Sequence, residues 1–223
     1  MTLTIRFMHL QDISQVKEID HDAFPTEWPP TNFPRELENK LAHYIVVYDT
    51  ENTNHQPDPK PPEKEKQPGF FDRARRILLR KPTPQVKPIE EAHILGYAGV
   101  WIMADEAHIT SIASDKNHRH QGIGEALLIA LIELAMVKKV RIVTLEARVS
   151  NQIAQNLYYK FGFDKLGVRK AYYLDNKEDA VIMSTEYIGS PSFKEKFAKA
   201  KQAYYQKWGT FTNEVSVKQT DNK

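Results

Sequence analysis

The amino-acid sequence predicts a mixed α/β fold in which part of the central sheet is parallel. Before residue 50 the segments have the spacing of strand, helix and strand, and from residue 107 the order is strand, helix, strand, helix, strand, strand. Of the 223 residues, 41% are hydrophobic and 27% are charged, which excludes collagen-like and wholly disordered chains. This length suits one domain with extensions, or at most two small domains.

The first elements follow from two kinds of periodicity. Residues 5–7 alternate as in a strand, and apolar residues then recur at helical spacing over 13–24, after Asp12 as an N-cap. Residues 44–48 and 94–103 indicate two neighbouring strands. A hairpin with an enlarged loop would join these two strands.

That enlarged loop is a segment of unusual composition at residues 51–91. It holds eight of the thirteen prolines among many polar and charged residues, and such a segment cannot bury enough apolar surface to offset its ordering entropy. We interpret it as a mostly flexible Pro/Lys-rich insertion that interrupts one domain of residues 1–187. Inside it, residues 70–80 have the pattern of a short basic amphipathic helix, packed on its own domain or in contact with a membrane or RNA.

The second half of the domain has a more regular pattern. The predicted elements are a strand at 108–114, a helix at 122–138, a strand at 141–148, a helix at 151–160 and a final pair of strands at 165–173 and 180–186. The first of these helices has a buried stripe made of Leu127, Ala130, Leu131, Leu134 and Ala135.

Residues 188–223 form a basic tail with a predicted helix. Its aromatic face comprises Phe193, Phe197, Ala200, Tyr204 and Trp208, at spacings of four, three, four and four. We expect this face to dock on the domain body, with a partner-binding helix as the alternative. The tail has seven basic and three acidic residues, whereas residues 1–50 have four basic and eight acidic residues. The net charge of +2 is therefore the sum of an acidic N-terminal part and a basic C-terminal part, with residues between them that are close to neutral.

Several classes of protein and site are disfavoured by what the sequence lacks. There is no cysteine, hence no disulfide framework, thiol nucleophile or thiolate metal site. No apolar run of about 18 residues and no signal-peptide pattern occurs, which predicts a cytoplasmic protein without stable membrane insertion. No H-x-x-x-H with an acidic partner is present, so no metal site is expected.

A stretch with two glycines lies between the predicted strand at 108–114 and the helix at 122–138. It is Arg119-His120-Gln121-Gly122-Ile123-Gly124. Glycines at a turn let successive backbone N–H groups converge at a helix start, where they can bind a phosphate or pyrophosphate, with Arg119 and His120 as added donors. A simple tight turn is the alternative. The spacing matches neither the P-loop nor G-x-G-x-x-G, whose third glycine position is Leu127, which disfavours a nucleotide triphosphate and NAD.

This R-x-x-G-x-G stretch resembles the pyrophosphate-binding motif of the GNAT acetyltransferase superfamily, whose members bind acetyl-CoA there. Residues 144–151 (TLEARVSN) and 156–163 (NLYYKFGF) resemble the L-E-V-R-x-S-N and A-x-x-L-Y-x-x-x-G-F blocks of its RimI type. Further similar segments are 23–25, 169–173 and 178–183. The resemblance covers about residues 1–50 and 92–187. It implies the GNAT fold, with a mixed sheet of about six to seven strands flanked by about four helices.

The resemblance also implies which groups move protons. An α-amino group with a pKa of about 8 is largely protonated at pH 7, so a carboxylate must take its proton, directly or through a water. Glu146 is this general base by resemblance, and its alternative role is a strand glutamate paired with an Arg or Lys. Tyr158 fits the acid that protonates the leaving thiolate. Counting L-Y-x-x-x-G-F from Leu157 selects it over Tyr159, and a core tyrosine is the alternative.

A set of cofactor contacts follows from the same resemblance. They are Ile112, Ala113, Ser114, Arg119, His120, Gln121, Gly122, Ile123, Gly124, Glu125 and Asn151. The first three would offer main-chain groups to the pantetheine arm, and Asn151 is equally suited to be a helix N-cap. His120 and Gln121 stand where family members often carry basic residues. With fewer basic side chains, the side-chain contribution to phosphate binding is weaker, whereas the backbone N–H donors are unaffected.

RimI-type enzymes acetylate protein N-termini, notably the N-terminal alanine of a small-subunit ribosomal protein. The resemblance therefore implies an acetyl-CoA-dependent N-acetyltransferase with a protein N-terminus as acceptor, and the acidic first fifty residues favour a cationic acceptor of this kind. One alternative is acetylation of a small-molecule amine or a lysine side chain. Another is a non-enzymatic acyl-CoA-sensing or ribosome-binding module that contacts RNA weakly through the basic tail. No DNA partner is expected.

Overall fold

The computed structural model describes residues 2–26, 29–50 and 92–217. The strands are β1 (Leu3–Phe7), β2 (Ala42–Asp49), β3 (Ile94–Met103), β4 (Glu106–Ser114), β5 (Ile142–Arg148), β6 (Phe163–Arg169), β7 (Ala180–Thr185) and β8 (Thr212–Asn213). The α-helices are α1 (Ile13–Ala23), α2 (Phe33–Glu38), α3 (Ile123–Val137), α4 (Gln152–Lys160), α5 (Pro191–Trp208) and α6 (Glu214–Val217). The predicted insertion at 51–91, with its amphipathic segment at 70–80, lies outside the described residues.

All eight strands belong to one mixed sheet in the order β6-β7-β5-β4-β3-β2-β1-β8. The pairs β4/β5 and β1/β8 are parallel, and the others are antiparallel. The predicted mixed sheet with a parallel portion is therefore confirmed, as is the antiparallel pairing of β2 with β3. Within the described residues the count exceeds the expected six to seven strands and four helices, because the short α2, α6 and β8 have too few residues to show a periodicity.

Helices cover both faces of the sheet, as alternating side chains of the strands require. Val46 of β2 faces α1 and α2 and packs with Phe33, whereas Ile45 and Val47 face the cluster that contains α3 and α5. Helix α3 is buried almost all round, and its ten buried residues include the whole predicted stripe. A helix that is apolar on every side needs cover beyond a single sheet.

That cover comes from the tail. Phe193, Phe197, Ala200 and Tyr204 of α5 are buried in the same cluster as α3, and Val215 of α6 joins them. Ser190 caps the start of α5 by accepting the N–H of Phe193, with Pro191 at a first-turn position that suits proline. The predicted docking of the aromatic face on the domain body is confirmed.

Two details of the predicted elements are wrong. Asp12 directly precedes α1 but does not cap it, because its carboxylate accepts from the Arg6 guanidinium at 2.7 and 2.9 Å and from the N–H of His9. The strand expected at 165–173 is β6, which begins at Phe163 and ends at Arg169. A turn follows it, with Ala171 at a φ of 50°.

No helix in the described part of the chain is both long and apolar enough to cross a membrane.

Candidate active site

The parallel strands β4 and β5 separate part-way along their length. Their register runs from Glu106 opposite Ile142 to Ile109 opposite Leu145 and ends there. Beyond this point β4 continues to Ser114, paired on its other side with β3. A bulge in β4 next to Ile109 bends the strand where the two part. The separation exposes main-chain groups of β4 to an opening in the sheet.

A cleft of about 950 Å³ occupies this opening. It is lined by the ends of β4 and β5, by residues 23–26 at the end of α1, by α4, and by the loop between β6 and β7. Because Leu145 and Ala147 point into the core beside α3, Glu146 between them points to the opposite face of the sheet. Tyr158 of α4 lies on the α3 face. The cleft thus brings Glu146 and Tyr158 together from opposite faces of the sheet.

The glycine-containing loop adopts a conformation suited to anion binding. His120 has a φ of 61° and Gly122 a φ of 80°, so the backbone is left-handed at two positions that frame Gln121. Gly122 is the N-cap of α3 and supplies no side-chain cap for its first turn. Left-handed residues beside a helix start direct backbone N–H groups into a concave surface that favours anions. The strained φ of His120 is of the kind found at functional sites.

The remaining predicted cofactor contacts lie in three places: the end of β4, the loop with the first turn of α3, and the start of α4. In β4 they are Ile112, Ala113 and Ser114, on the part of the strand that diverges from β5.

In the loop, Arg119, His120 and Gln121 are exposed. Ile123 is in the core, so only its main chain could contact a ligand. In the first turn of α3, Glu125 pairs with Lys160 of α4. Gly124 is near Leu157, and Asn151 caps α4 by accepting the N–H of Ala154 at 3.1 Å while also lining the cleft. Both roles considered for Asn151 fit this position.

Glu146 contacts His108 of the adjacent strand β4 and Arg169 of β6, which lies two strands away across β7. Its buried carboxylate lies 3.1 Å from Nε2 of His108 and 3.2 Å from Nη1 of Arg169. The ion pair considered as an alternative role therefore exists, in a residue that also lines the cleft. The two roles are compatible, because a carboxylate has four lone-pair sites and two such contacts leave some of them free.

His108 also lines the cleft, and the sequence does not predict it as a functional residue. Its Nδ1 lies 2.9 Å from Oγ1 of Thr144, and the Thr144 hydroxyl donates to the Glu106 carboxylate. The hydroxyl has one hydrogen, so Oγ1 accepts from Nδ1–H and the other ring nitrogen faces Glu146. A row of polar groups thus runs from Glu106 to Glu146 along this face of the sheet. Nothing in the local sequence distinguishes His108, because the row depends on the register of β4 against β5.

The two adjacent tyrosines of α4 differ in environment. Tyr158 is buried, packs against Phe163 at a centroid distance of 5.7 Å and lines the cleft, whereas Tyr159 is exposed. Burial raises the pKa of the Tyr158 phenol well above its usual value, with a smaller effect from Tyr173. A phenol with a raised pKa keeps its proton at neutral pH, so its hydroxyl remains available as a donor.

Arg148 organises the loop that closes one side of the cleft. Its guanidinium contacts both oxygens of Asp175 at 3.0 Å and Glu178 at 3.1 Å, and lies 3.9 Å from the centroid of the Tyr173 ring. Hydrogen bonds from Ser150, and then the one from Arg148, lower the pKa of Glu178 to about 2. Arg148 lies in the block TLEARVSN, whose resemblance to the RimI type implies no such role. Among the described residues, no group of three or more histidine, aspartate or glutamate side chains could hold a metal ion.

Comparison with known proteins identifies the family. The model of the acetyltransferase (GNAT) family matches residues 47–163, more than half of the chain. The chain belongs to the GNAT family. This assignment confirms the predicted fold and makes the protein an acetyl-CoA-dependent N-acetyltransferase. The names of related proteins indicate which type of GNAT acetyltransferase the chain resembles.

Two sequence relatives of this GNAT protein extend over most of its length. A Bacillus subtilis protein with the provisional name of a ribosomal protein bS18-alanine N-acetyltransferase is 37% identical over 80% of this chain and 92% of its own. An N-alpha-acetyltransferase of Sulfurisphaera tokodaii is 42% identical over 81% of this chain and 90% of its own. The RimI-type resemblance is thereby confirmed.

Solved structures share the fold at lower sequence identity. The Escherichia coli ribosomal-protein-S18-alanine N-acetyltransferase has a TM-score of 0.57 at 21% identity, covering 83% of this chain and 94% of its own. A Vibrio cholerae spermidine N-acetyltransferase in complex with CoA and spermine has a TM-score of 0.59 at 14% identity, covering 83% and 96%. These likenesses support the GNAT fold alone.

Proposed function

We propose that this GNAT protein transfers the acetyl group of acetyl-CoA to the N-terminal α-amino group of a protein. The proposed acceptor is a ribosomal protein whose N-terminal residue is alanine. The observation that carries the proposal is the 37% identity to the Bacillus subtilis relative over nearly the whole of that protein. An acceptor that belongs to the ribosome would place the reaction in the cytoplasm. The arrangement of Glu146 and Tyr158 around the cleft supports a reaction between two substrates that enter from opposite faces of the sheet.

Glu146 is proposed as the group that removes the proton from the acceptor. The amine nitrogen attacks the thioester carbonyl of acetyl-CoA, forms the new C–N bond and transfers a proton to Glu146, directly or through a water. Arg169 and His108 fix the orientation of the carboxylate, so the accepting oxygen is positioned before the substrate arrives.

Tyr158 is proposed as the group that assists departure of CoA. When the tetrahedral intermediate collapses, the C–S bond breaks and the sulfur leaves as a thiolate. The Tyr158 hydroxyl donates its proton to this sulfur, and its raised pKa keeps the proton available until that step. Acetyl-CoA would be held by the main chain of β4 at Ile112–Ser114 and by the loop at Arg119–Glu125, whose backbone conformation suits a diphosphate.

A panel of acceptors tests the proposed substrate class. The panel has three kinds of acceptor. The first is a set of peptides that begin with Ala. The second is a set of peptides that have a blocked N-terminus and an internal lysine, and the third is a set of free amines such as spermidine. We expect turnover of the Ala-starting peptides and at least tenfold lower kcat/KM for the others. A preference for spermidine or for the blocked lysine peptide would contradict the proposal and support the alternative acceptors.

Two variants test the proposed proton transfers. Glu146→Gln keeps the shape of the side chain but cannot accept a proton, and Tyr158→Phe lacks the hydroxyl. For each we expect kcat to fall by about 10²- to 10⁴-fold, the usual range for a general acid or base, while the Kd of CoA is unchanged. Tyr159→Phe on the exposed side of α4 is the control and should retain full activity. Wild-type kcat in either of the two variants would remove that residue from the mechanism.

A further inference from the structure

The end of the C-terminal helix lies against the proposed phosphate-binding loop. A Cβ atom built on Gly122 would stand 2.8 Å from Cγ and 2.9 Å from Cδ1 and Cδ2 of Trp208. The five-membered ring of the indole is therefore packed directly on the left-handed glycine that precedes α3. The family match ends at residue 163, so this contact comes from a part of the chain outside it.

The Trp208 side chain has an unused hydrogen-bond donor at this place. Its Nε1 is buried and lacks a partner, and among the described residues no other buried side-chain nitrogen or oxygen does. A buried N–H without an acceptor is unfavourable, and in native structures such a group usually has a functional reason or an unseen partner. Tryptophan can only donate through this atom, so the missing partner must be an acceptor.

The helix that carries Trp208 is anchored firmly to α3. Lys201 of α5 pairs with Glu133 of α3, and Asn213 beyond the helix donates to the same carboxylate at 2.6 Å. Gly209, with a φ of 84°, ends the helix immediately after Trp208. The indole is thus held at the loop from both sides. Lys207 places its ammonium 4.5 Å from the centroid of the indole ring, which adds positive charge beside an anion site.

We propose that Trp208 is a cofactor-binding residue: its ring packs on Gly122 of the loop, and its Nε1–H, which is covered in the protein alone, is uncovered when acetyl-CoA binds and donates to a diphosphate oxygen. A phosphate oxygen is a charged acceptor, which is the kind that gains most from a donor shielded from water. The inference rests on the proposed role of the loop in binding acetyl-CoA and does not depend on the acceptor.

Calorimetric titration with CoA tests this inference without any acetyl transfer. Trp208→Phe keeps an aromatic ring on Gly122 but removes the donor. Trp101→Phe is the matched control, because Nε1 of Trp101 donates to Glu36 at 2.9 Å, away from the loop. We expect the Kd of CoA to rise about tenfold or more in Trp208→Phe and to stay at the wild-type value in Trp101→Phe. An unchanged Kd in Trp208→Phe would overturn the inference.

A titration with 3′-dephospho-CoA identifies the phosphate that is bound. An equal loss of affinity for CoA and 3′-dephospho-CoA in Trp208→Phe would support the diphosphate. A loss confined to CoA would overturn that assignment in favour of the 3′-phosphate. If the wild-type protein itself fails to bind CoA, the proposed cofactor site is wrong, which is a different result from normal binding by the variant.

Thermal unfolding separates a binding role from a structural one. Because the donor has no partner in the protein alone, Trp208→Phe should leave the Tm without CoA unchanged or raised, while the increase in Tm caused by CoA becomes smaller. A lower Tm without CoA, combined with a normal increase on adding CoA, would show that Trp208 only stabilises the fold.

Discussion

His108 and Glu146 show what a strand pattern can and cannot predict at the scale of single residues. Glu146 and Tyr158 are found in the sequence because they stand at fixed spacings inside recognisable blocks, and helical geometry separates Tyr158 from its exposed neighbour. His108 is not found in this way. It meets Glu146 only because β4 and β5 are parallel, in a register that places His108 opposite Thr144. The periodicity of one strand does not fix which residue of the next strand lies opposite it, because that pairing also depends on the pattern of the partner strand and on the connection between them.

The contact between His108 and Glu146 leads to a prediction on catalysis. His108→Ala removes one of the two side chains that contact the Glu146 carboxylate. We expect kcat/KM to fall roughly tenfold, less than in Glu146→Gln, because Arg169 still holds the other oxygen. Steady-state kinetics on an Ala-starting peptide measures this effect. Asn151→Ala is unsuitable as a control because it lines the cleft, whereas Tyr159→Phe leaves this face untouched.

The Kd of CoA separates this effect from one on the cofactor site. It should be unchanged in His108→Ala, because His108 contacts Glu146. If kcat/KM of His108→Ala matches that of the wild-type protein, His108 has no part in orienting Glu146.

The loop before α3 shows how the conformation of one element depends on packing against a distant part of the chain. Its glycines are visible in the sequence, but the need for glycine differs between them. Gly122 has a positive φ and no room for a Cβ beside Trp208, whereas a Cβ on Gly124 would be 3.7 Å from Leu157, an ordinary contact. This difference arises from α5, which packs on the loop from about 85 residues away in the chain, so local sequence cannot reveal it.

The difference between the two glycines can be measured. Gly122→Ala should lower the free energy of unfolding by about 2 kcal/mol or more, because it combines a left-handed alanine with displacement of the indole. Gly124→Ala, inside the first turn of α3, should leave stability unchanged or raise it by up to about 1 kcal/mol, since alanine is the better helix former. Urea unfolding curves give both values. Equal stabilities for the two variants would contradict the close packing of Trp208 on Gly122.

The loop between β6 and β7 is an element whose stability should depend on pH. Hydrogen bonds from Ser150 and Arg148 lower the pKa of Glu178 from its ordinary value of about 4.5 to about 2. A carboxyl group with a lowered pKa in the folded state stabilises that state above its unfolded pKa. This contribution is lost as the pH falls from about 4.5 towards 2.

The Tm of Glu178→Gln therefore tests this loop. It should be lower than the wild-type Tm above pH 5, and the gap should close as the pH is lowered to about 2.5. Differential scanning calorimetry over this range measures the gap. A gap that stays constant with pH would mean that the ionised carboxylate does not hold the loop.

At the scale of the whole molecule, α3 requires the C-terminal helix. The sequence indicates a stripe of five buried positions on α3, but Leu128, Ile129 and Ile132 are buried as well. The apolar excess of α3 and the aromatic face of α5 are both visible in the sequence. Their pairing is a contact over some 70 residues, which composition and periodicity cannot assign. The tail therefore belongs to the same core as the predicted domain of residues 1–187, although that boundary itself stays a prediction.

The basic tail has a consequence for any test of RNA or ribosome binding. Deleting residues 190–223 removes Phe193, Phe197 and Tyr204 from the core, so a loss of RNA binding in that deletion would not show that the tail is the contact. Replacing exposed lysines of α5, such as Lys194 and Lys199, leaves the buried face intact. If the tail contacts RNA, these substitutions should weaken binding and reduce its dependence on salt, at unchanged Tm.

The structural role of the tail is tested by a pair of substitutions in adjacent positions of α5. Phe193 is fully buried, stacks on Phe197 at 6.1 Å and lies 3.2 Å from the Cβ position of Gly162. Phe193→Ala leaves a cavity between α5 and the end of α4, so the free energy of unfolding should fall by about 3–5 kcal/mol. Lys194→Ala, on the exposed side, should change it by less than about 0.5 kcal/mol. Because α5 also carries Trp208, the loss in Phe193→Ala should be accompanied by weaker CoA binding. A stable Phe193→Ala variant with normal CoA affinity would mean that the cofactor loop does not need the C-terminal helix.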